Sequence, residues 1–169
     1  MADMKILIAF YSRTGNVRRV AQVMAEALTS ADVEATVDVE EIVDKKDRSG
    51  WLGWLSAGRD ATLKRTADIE APKHDPAASD LVIVGTPVWA WSMTPAVRAY
   101  LQRQRGKLPE KVAFFAIAGS SGADRTVVAM AELAGKEPRA TLALTRGRGL
   151  GDELLEQARR FAVRLTPAP

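Results

Sequence analysis

The sequence predicts an α/β fold, a mostly parallel sheet with helices packed on both faces. Three observations carry that expectation. Residues 81–85 (LVIVG) and 112–118 (VAFFAIA) are apolar at every position, as strands covered on both sides are. Segments with apolar residues at helical spacing lie between the strand-like runs. The strict alternation of the two patterns implies parallel strands joined by right-handed crossovers. A length of 169 residues suits one unit, so a single domain over 1–169 is expected.

Residues 4–11 (MKILIAFY) form an apolar run that ends in turn residues, and 16–29 then bring Val17, Val20, Ala21, Met24 and Leu28 onto one helical face. Residues 33–39 (VEATVDV) alternate apolar and polar side chains, which marks an exposed or edge strand. The run at 81–85 suits the centre of the sheet. Pro95 opens a helix over 94–103, in the first turn, where its missing N–H costs nothing. After the strand at 112–118 comes a helix over 124–134 with Val127, Val128, Met130 and Leu133 inward, and then a short strand at 140–145. The helix over 152–165 gathers Leu154, Leu155, Ala158, Phe161, Ala162 and Leu165 on one face. Five strands thus alternate with helices.

Residues 44–75 break the rhythm, being too long for a simple crossover. An inserted helix and loop is expected there, with Trp51, Leu52, Leu55, Ala61 and Leu63 along one face, weakened by Gly53 and Gly58. The segment holding Trp51 and Trp54 has three open roles: a cap over a ligand, an interface, or packing on a sheet edge.

Composition excludes whole classes of chemistry. With no cysteine and one histidine, disulfides, cysteine nucleophiles and thiolate or histidine-rich metal sites are ruled out, and no metal is expected. His74 itself reads as a solvated loop residue. The first apolar run is far shorter than the ~20 residues of a membrane span and lacks a small-residue cleavage site, so no span and a cytoplasmic location are expected. The net charge of +3 is unevenly spread: 1–85 carry 11 basic and 14 acidic side chains, 86–169 carry 13 and 7. The positive second half suits anionic cofactors or partners, or is simply a solvated surface. Basic and aromatic residues do not interleave as on a nucleic-acid surface, so no nucleic acid is expected.

In an open parallel sheet, ligands bind beyond the carboxyl ends of the strands, where strand order reverses. Three loops lie there. The first, Ser12-Arg13-Thr14-Gly15-Asn16-Val17, precedes a helix whose leading amides are unpaired and carry the positive end of the dipole, so an anion fits it. Neither GxxxxGK[ST] nor GxGxxG is present. A plain turn would also explain the loop taken alone. The second, Thr86-Pro87-Val88-Trp89-Ala90 and Trp91, puts indoles at a strand end, where they suit stacking on a flat ring or plugging of the loop. The third, Gly119-Ser120-Ser121-Gly122, offers hydroxyls and backbone freedom for a ring edge, or a serine helix cap.

Taken together, MKILIAFYS followed by SRTGNV, then GTPVWAW and AGSSGAD in that order, resembles the flavodoxin family over essentially the whole chain. The resemblance implies a flavodoxin-like three-layer α/β/α sandwich, a five-stranded parallel sheet of order 2-1-3-4-5, and FMN at the switch between the first and third strands. It would place Ser12 to Val17 around the phosphate, Thr86 to Ala90 along the ring with Trp89 against it, and Gly119 to Gly122 at the other ring edge. Three features depart from the family: Val17 replaces a closing Thr or Ser, the third loop has no aromatic, and the chain is basic, with a sequence pI of 9.4.

Flavin chemistry belongs to the cofactor, so no catalytic side chain is expected. The resemblance implies electron transfer through FMN with a redox partner protein. The open ring face and basic charge lean toward an NAD(P)H-dependent FMN oxidoreductase acting on quinones or similar acceptors, and toward a less negative potential than an acidic shuttle has. A non-redox binding module of the same fold is the remote alternative.

Overall fold

The computed structural model describes residues 3–30, 34–46 and 66–167, and, in the intervening stretch, Gly53, Leu55 and Arg59. Its main sheet runs through β1 (Met4–Phe10), β2 (Ala35–Glu41), β3 (Leu81–Trp89), β5 (Lys111–Ala118) and β6 (Ala140–Thr145), with the short β4 (Ser92–Met93) paired to the end of β3. The helices are α1 (Asn16–Ser30), α2 (Pro95–Gln104), α3 (Ala123–Ala134) and α4 (Asp152–Leu165).

The sheet order is β2-β1-β3-β5-β6, all neighbouring pairs parallel. The five long strands therefore follow the expected sequence of positions. The strand count does not: six strands form, because β3 continues past Gly85 to Trp89 and turns back through β4, pairing Val88 with Met93 and Trp89 with Ser92. Pro87 and the absence of an Asn-Gly pair hide this hairpin in the sequence. Its turn is made by Ala90 and Trp91, both at positive φ (47° and 58°), a geometry usually left to Asn and Gly.

Side chains alternate across the pleat and so build two cores. Leu7, Ala9, Val82, Val84, Val112 and Phe114 face α2 and α3, which bury Val97, Tyr100, Leu101, Val127 and Met130 against them. Ile6, Ile8, Phe10, Ile83, Phe115 and Ile117 face the other way, onto Val20, Met24, Leu28, Ala158, Phe161 and Leu165 of α1 and α4. That is the three-layer sandwich. β2 lies at one edge and is only partly covered, with a single buried residue, Glu40, while β3 is central.

The strap after the inserted segment is tied to the edge. Asp44 and Ile69 form an antiparallel bridge, and Glu40, buried, accepts hydrogen bonds from the amides of Lys73 and His74. His74 is not merely solvated: Nδ1 lies 3.4 Å from Glu40 Oε2 and Nε2 3.7 Å from Asp38 Oδ1. Gly53, Leu55 and Arg59 are helical. Trp51, Leu52, Trp54, Gly58, Ala61 and Leu63 lie outside the described residues. No helix among the described residues is long and apolar enough to cross a membrane, and no cluster of potential metal ligands occurs among them.

Candidate functional site

The ends of β1, β3, β5 and β6 converge on a cleft of about 260 Å³ lined by Ser12, Arg13, Thr14, Asn16, Val17, Pro87, Val88, Trp89, Ile117, Gly119 and Arg146. One wall is the turn into α1. Gly15 takes φ +90° there, a conformation that L side chains rarely adopt. Ser12, buried, folds its hydroxyl under the turn, where Oγ accepts from the amides of Gly15 (3.1 Å) and Arg18 (3.2 Å). Its O–H proton stays available to a ligand. Thr14 Oγ1 accepts from Asn16 Nδ2 at 3.1 Å. Among the described residues, the amides of Thr14, Asn16 and Val17 have no hydrogen-bond partner. Bare amides at a helix N-terminus are a site for an anion. Val17 lines the cleft yet is 1% exposed in the α1 core.

Arg18 belongs to the scaffold rather than to the cleft. It grips Glu41 at the end of β2 through two bonds, Nε to Oε2 at 2.9 Å and Nη2 to Oε1 at 2.6 Å. The hydrogen bond to Glu41, with its negative charge, raises the guanidinium's pKa above its ordinary value.

The opposite wall is aromatic. Trp89 meets Tyr11 edge to face, with centroids 5.5 Å apart and planes at 87°, and Arg13 Cζ sits 5.8 Å from its ring centroid. Trp89 is the one aromatic lining the cleft among the described residues. Trp91 turns outward instead, 61% exposed, with Nε1 donating to Ser121 Oγ at 3.2 Å.

Nine of the fifteen residues singled out in the sequence line this cleft, and Gly15 shapes its turn. The other five stand behind or beside it. Thr86 is fully buried, its Oγ1 accepting from the Thr94 amide (3.2 Å) and donating to Pro87 O (2.8 Å), so it pins the hairpin. Ala90 makes the turn, and Ser120 and Ser121 are exposed. Gly122, at φ +95°, is itself the N-cap of α3, which replaces the serine cap the sequence left open. Arg98 supports the same hairpin from α2, donating from Nη2 to Ser92 Oγ at 2.9 Å. Burial pushes its pKa below the ordinary arginine value.

Two lining residues escape sequence reading, Ile117 and Arg146. Arg146 follows β6, so the signal for it was available: the last strand also ends on the ligand side of the sheet.

The model of the NADPH-dependent FMN reductase family matches residues 4–159. No curated protein matches the chain. Among solved structures, a flavoprotein in complex with FMN from Lactobacillus acidophilus is 18% identical, with 83% of this chain and 93% of that chain covered and a TM-score of 0.66. A protein from Bacteroides eggerthii, provisionally described as a flavoprotein, is 19% identical, with 96% and 98% covered and a TM-score of 0.72. A flavodoxin from Streptococcus pneumoniae is 17% identical, with 95% and 97% covered and a TM-score of 0.61. At these identities the likeness to solved structures shows a shared flavodoxin-like fold. The family match spans all but the ends of the chain, and the protein belongs to the NADPH-dependent FMN reductase family.

Proposed function

We propose that the cleft binds FMN and that the protein is a flavin-dependent redox protein. One observation carries the reading: a single cleft joins unpartnered amides at a helix N-terminus to a tryptophan wall, an anion site beside a flat-ring site. The residues fit the group chemically. The amides of Thr14, Asn16 and Val17, the Ser12 hydroxyl and the Asn16 side chain hold the phosphate. Pro87, Val88 and Trp89 take one side of the ring, and Gly119 leaves its edge accessible. Gly15, Thr86, Ala90, Ser120, Ser121 and Gly122 shape the three loops. Arg13, over Trp89, adds positive charge between the two ends.

When bound, FMN supplies a ring that accepts a hydride or single electrons. The chain's own residues anchor it, orient it and decide what reaches it. Direct reduction by NAD(P)H, with a quinone or similar acceptor, draws support from the family match and from the cleft wall, where no described aromatic stands opposite Trp89. Exchange with a redox partner protein is favoured by a different feature, the exposed indole of Trp91 at the rim.

An absorption spectrum after incubation with FMN, followed by anaerobic addition of NADPH, tests both. Flavin absorbance retained through gel filtration is expected, with bleaching on NADPH. A protein that stays colourless overturns the FMN reading. Bound flavin that NADPH leaves oxidised assigns reduction to a partner protein.

A further inference from the structure

We propose that Arg146 sets the reduction potential of this site by favouring the negatively charged, reduced form of the flavin at the ring end remote from the phosphate. The proposal rests on the cleft holding FMN.

Position is the first argument. The cleft crosses the carboxyl ends of β1, β3, β5 and β6 in that order. The bare amides follow β1, and Arg146 directly follows β6. Three strand spacings separate them, about 14 Å. The cleft therefore has an anion-binding end and, across two intervening strands, a guanidinium.

The arginine is also held in place. Its amide donates to Ala118 O (3.0 Å) and Gly147 N donates to Gly119 O (3.0 Å), which stitches this loop to the third ligand loop. Gly147 turns the chain at φ +53°. Nη1 donates to Gly147 O at 3.4 Å, and Nη2 lies 4.0 Å from where a Cβ on Gly119 would sit, so the head group rests directly beside that glycine. The nearby helix starts carry Asp124 on α3 and Asp152 and Glu153 on α4. Arg146 makes no ion pair with these or with any other carboxylate among the described residues. Half-buried and without a counter-ion among the described residues, its charge is poorly screened within the cleft.

Chemistry then chooses the ligand's orientation. A guanidinium has five donors and no acceptor. The dimethylbenzene end of a flavin offers it nothing, whereas the pyrimidine end carries two carbonyl oxygens and a ring nitrogen. A hydride from the nicotinamide adds two electrons and one proton to the ring, leaving one net negative charge on the pyrimidine side. Arg146 stabilises that charge more than it stabilises the neutral oxidised ring, so the potential rises.

Four variants test this, with two readouts other than turnover: the dissociation constant of oxidised FMN and the midpoint potential of the bound flavin. For Arg146→Gln we expect the oxidised Kd to change less than threefold and the reduced form to bind about tenfold more weakly, a fall of about 30 mV for a two-electron couple. Arg146→Glu falls further, and Arg146→Lys stays near the wild type. Arg148→Gln removes the same charge from an exposed position of the same loop that does not line the cleft, and leaves the potential unchanged. An Arg146→Gln potential equal to that of the wild type, or matched by Arg148→Gln, overturns the role of Arg146 while FMN binding stands. Failure of the wild type to bind FMN overturns the reading beneath it.

Discussion

Two loop regions of this molecule treat their polar groups in opposite ways. At the β2 edge, the strap over residues 66–74 ties itself back to the fold through the amides of Ala67, Glu70, Lys73 and His74. Lys45 N donates to Asp68 O (2.9 Å), Glu70 N to Val43 O (2.9 Å), and Ala67 N to Pro95 O (3.2 Å). Arg103 reaches Ile69 O at 3.1 Å, and the buried Glu40 carboxylate takes the next two amides. At the carboxyl ends of the strands, and among the described residues, the turn into α1 leaves three amides bare, Arg146 lacks a carboxylate, and a neighbouring hairpin holds two non-glycine residues at positive φ. A buried polar group left without a partner costs on the order of 1–3 kcal/mol, and strained backbone adds to it. A loop bonded back to the sheet edge supports the fold. A loop that leaves donors aimed into a cleft is completed by something else.

The contrast can be broken at its base. Both regions hang on one sheet whose centre is sealed by Gly85, where an added Cβ would stand 2.0 Å from Phe115 Cζ. Gly85→Ala should cost about 3 kcal/mol through overpacking and degrade strap and cleft together. Urea unfolding checks it, and unchanged stability would mean that Phe115 moves aside freely.

Glu40→Ala should act on the strap alone. It strands two amides and should lower stability by about 2 kcal/mol, while the folded fraction binds FMN with an unchanged Kd. A parallel loss of FMN affinity would show that the regions are coupled.

Ser12→Ala reverses that pattern. Losing the acceptor for Gly15 and Arg18 costs about 1 kcal/mol of stability, and losing the hydroxyl donor should weaken FMN about tenfold, near 1.4 kcal/mol. Isothermal titration beside thermal melting separates the two effects.

The smallest effect is expected beneath the strap, at Tyr100. Its hydroxyl is buried with no hydrogen-bond partner among the described residues, and burial, with the charges of Glu40 and Asp75, pushes its pKa well above the ordinary tyrosine value. Tyr100→Phe should leave stability unchanged or raise it by about 1 kcal/mol at neutral pH. Above about pH 10 an unfolded chain releases the tyrosine proton while the folded chain keeps it, so this contribution to stability is full below that pH and falls as pH rises. The variant should lack that component of the alkaline decline, and identical pH profiles would contradict the assignment.

Much of this was legible in the chain itself. The apolar runs at 4–11, 81–85 and 112–118 and the helical stripes between them correspond to β1, β3, β5 and the packing helices, because burial on both faces of a parallel sheet leaves a continuous apolar signature. The turn after β1 was legible as well, since Ser, Gly and Asn before a helical stripe are the residues an anion-binding N-terminus uses. Trp91 was not. Nothing in GTPVWAWS separates an indole facing the cleft from one facing solvent, and the choice was made by a hairpin that the sequence does not signal. Thr86 looked like a ligand contact but turns inward to hold Thr94. His74 looked free until the strap brought it against a buried carboxylate.

By itself, then, the sequence determined the layered architecture, the positions of the five long strands along the chain and the glycine turn that leads into the first helix, because period-2 and period-3.6 patterns and helix starts are local properties. Only the tertiary structure decided which side chains share the cleft. Arg146 is 134 positions from Ser12 in the sequence, and it joins the cleft because parallel crossovers return every strand's carboxyl end to the same side of the sheet. The alternation of patterns implies that convergence in general; which side chains at the strand ends turn into the cleft depends on strand order and loop geometry, which no local pattern records.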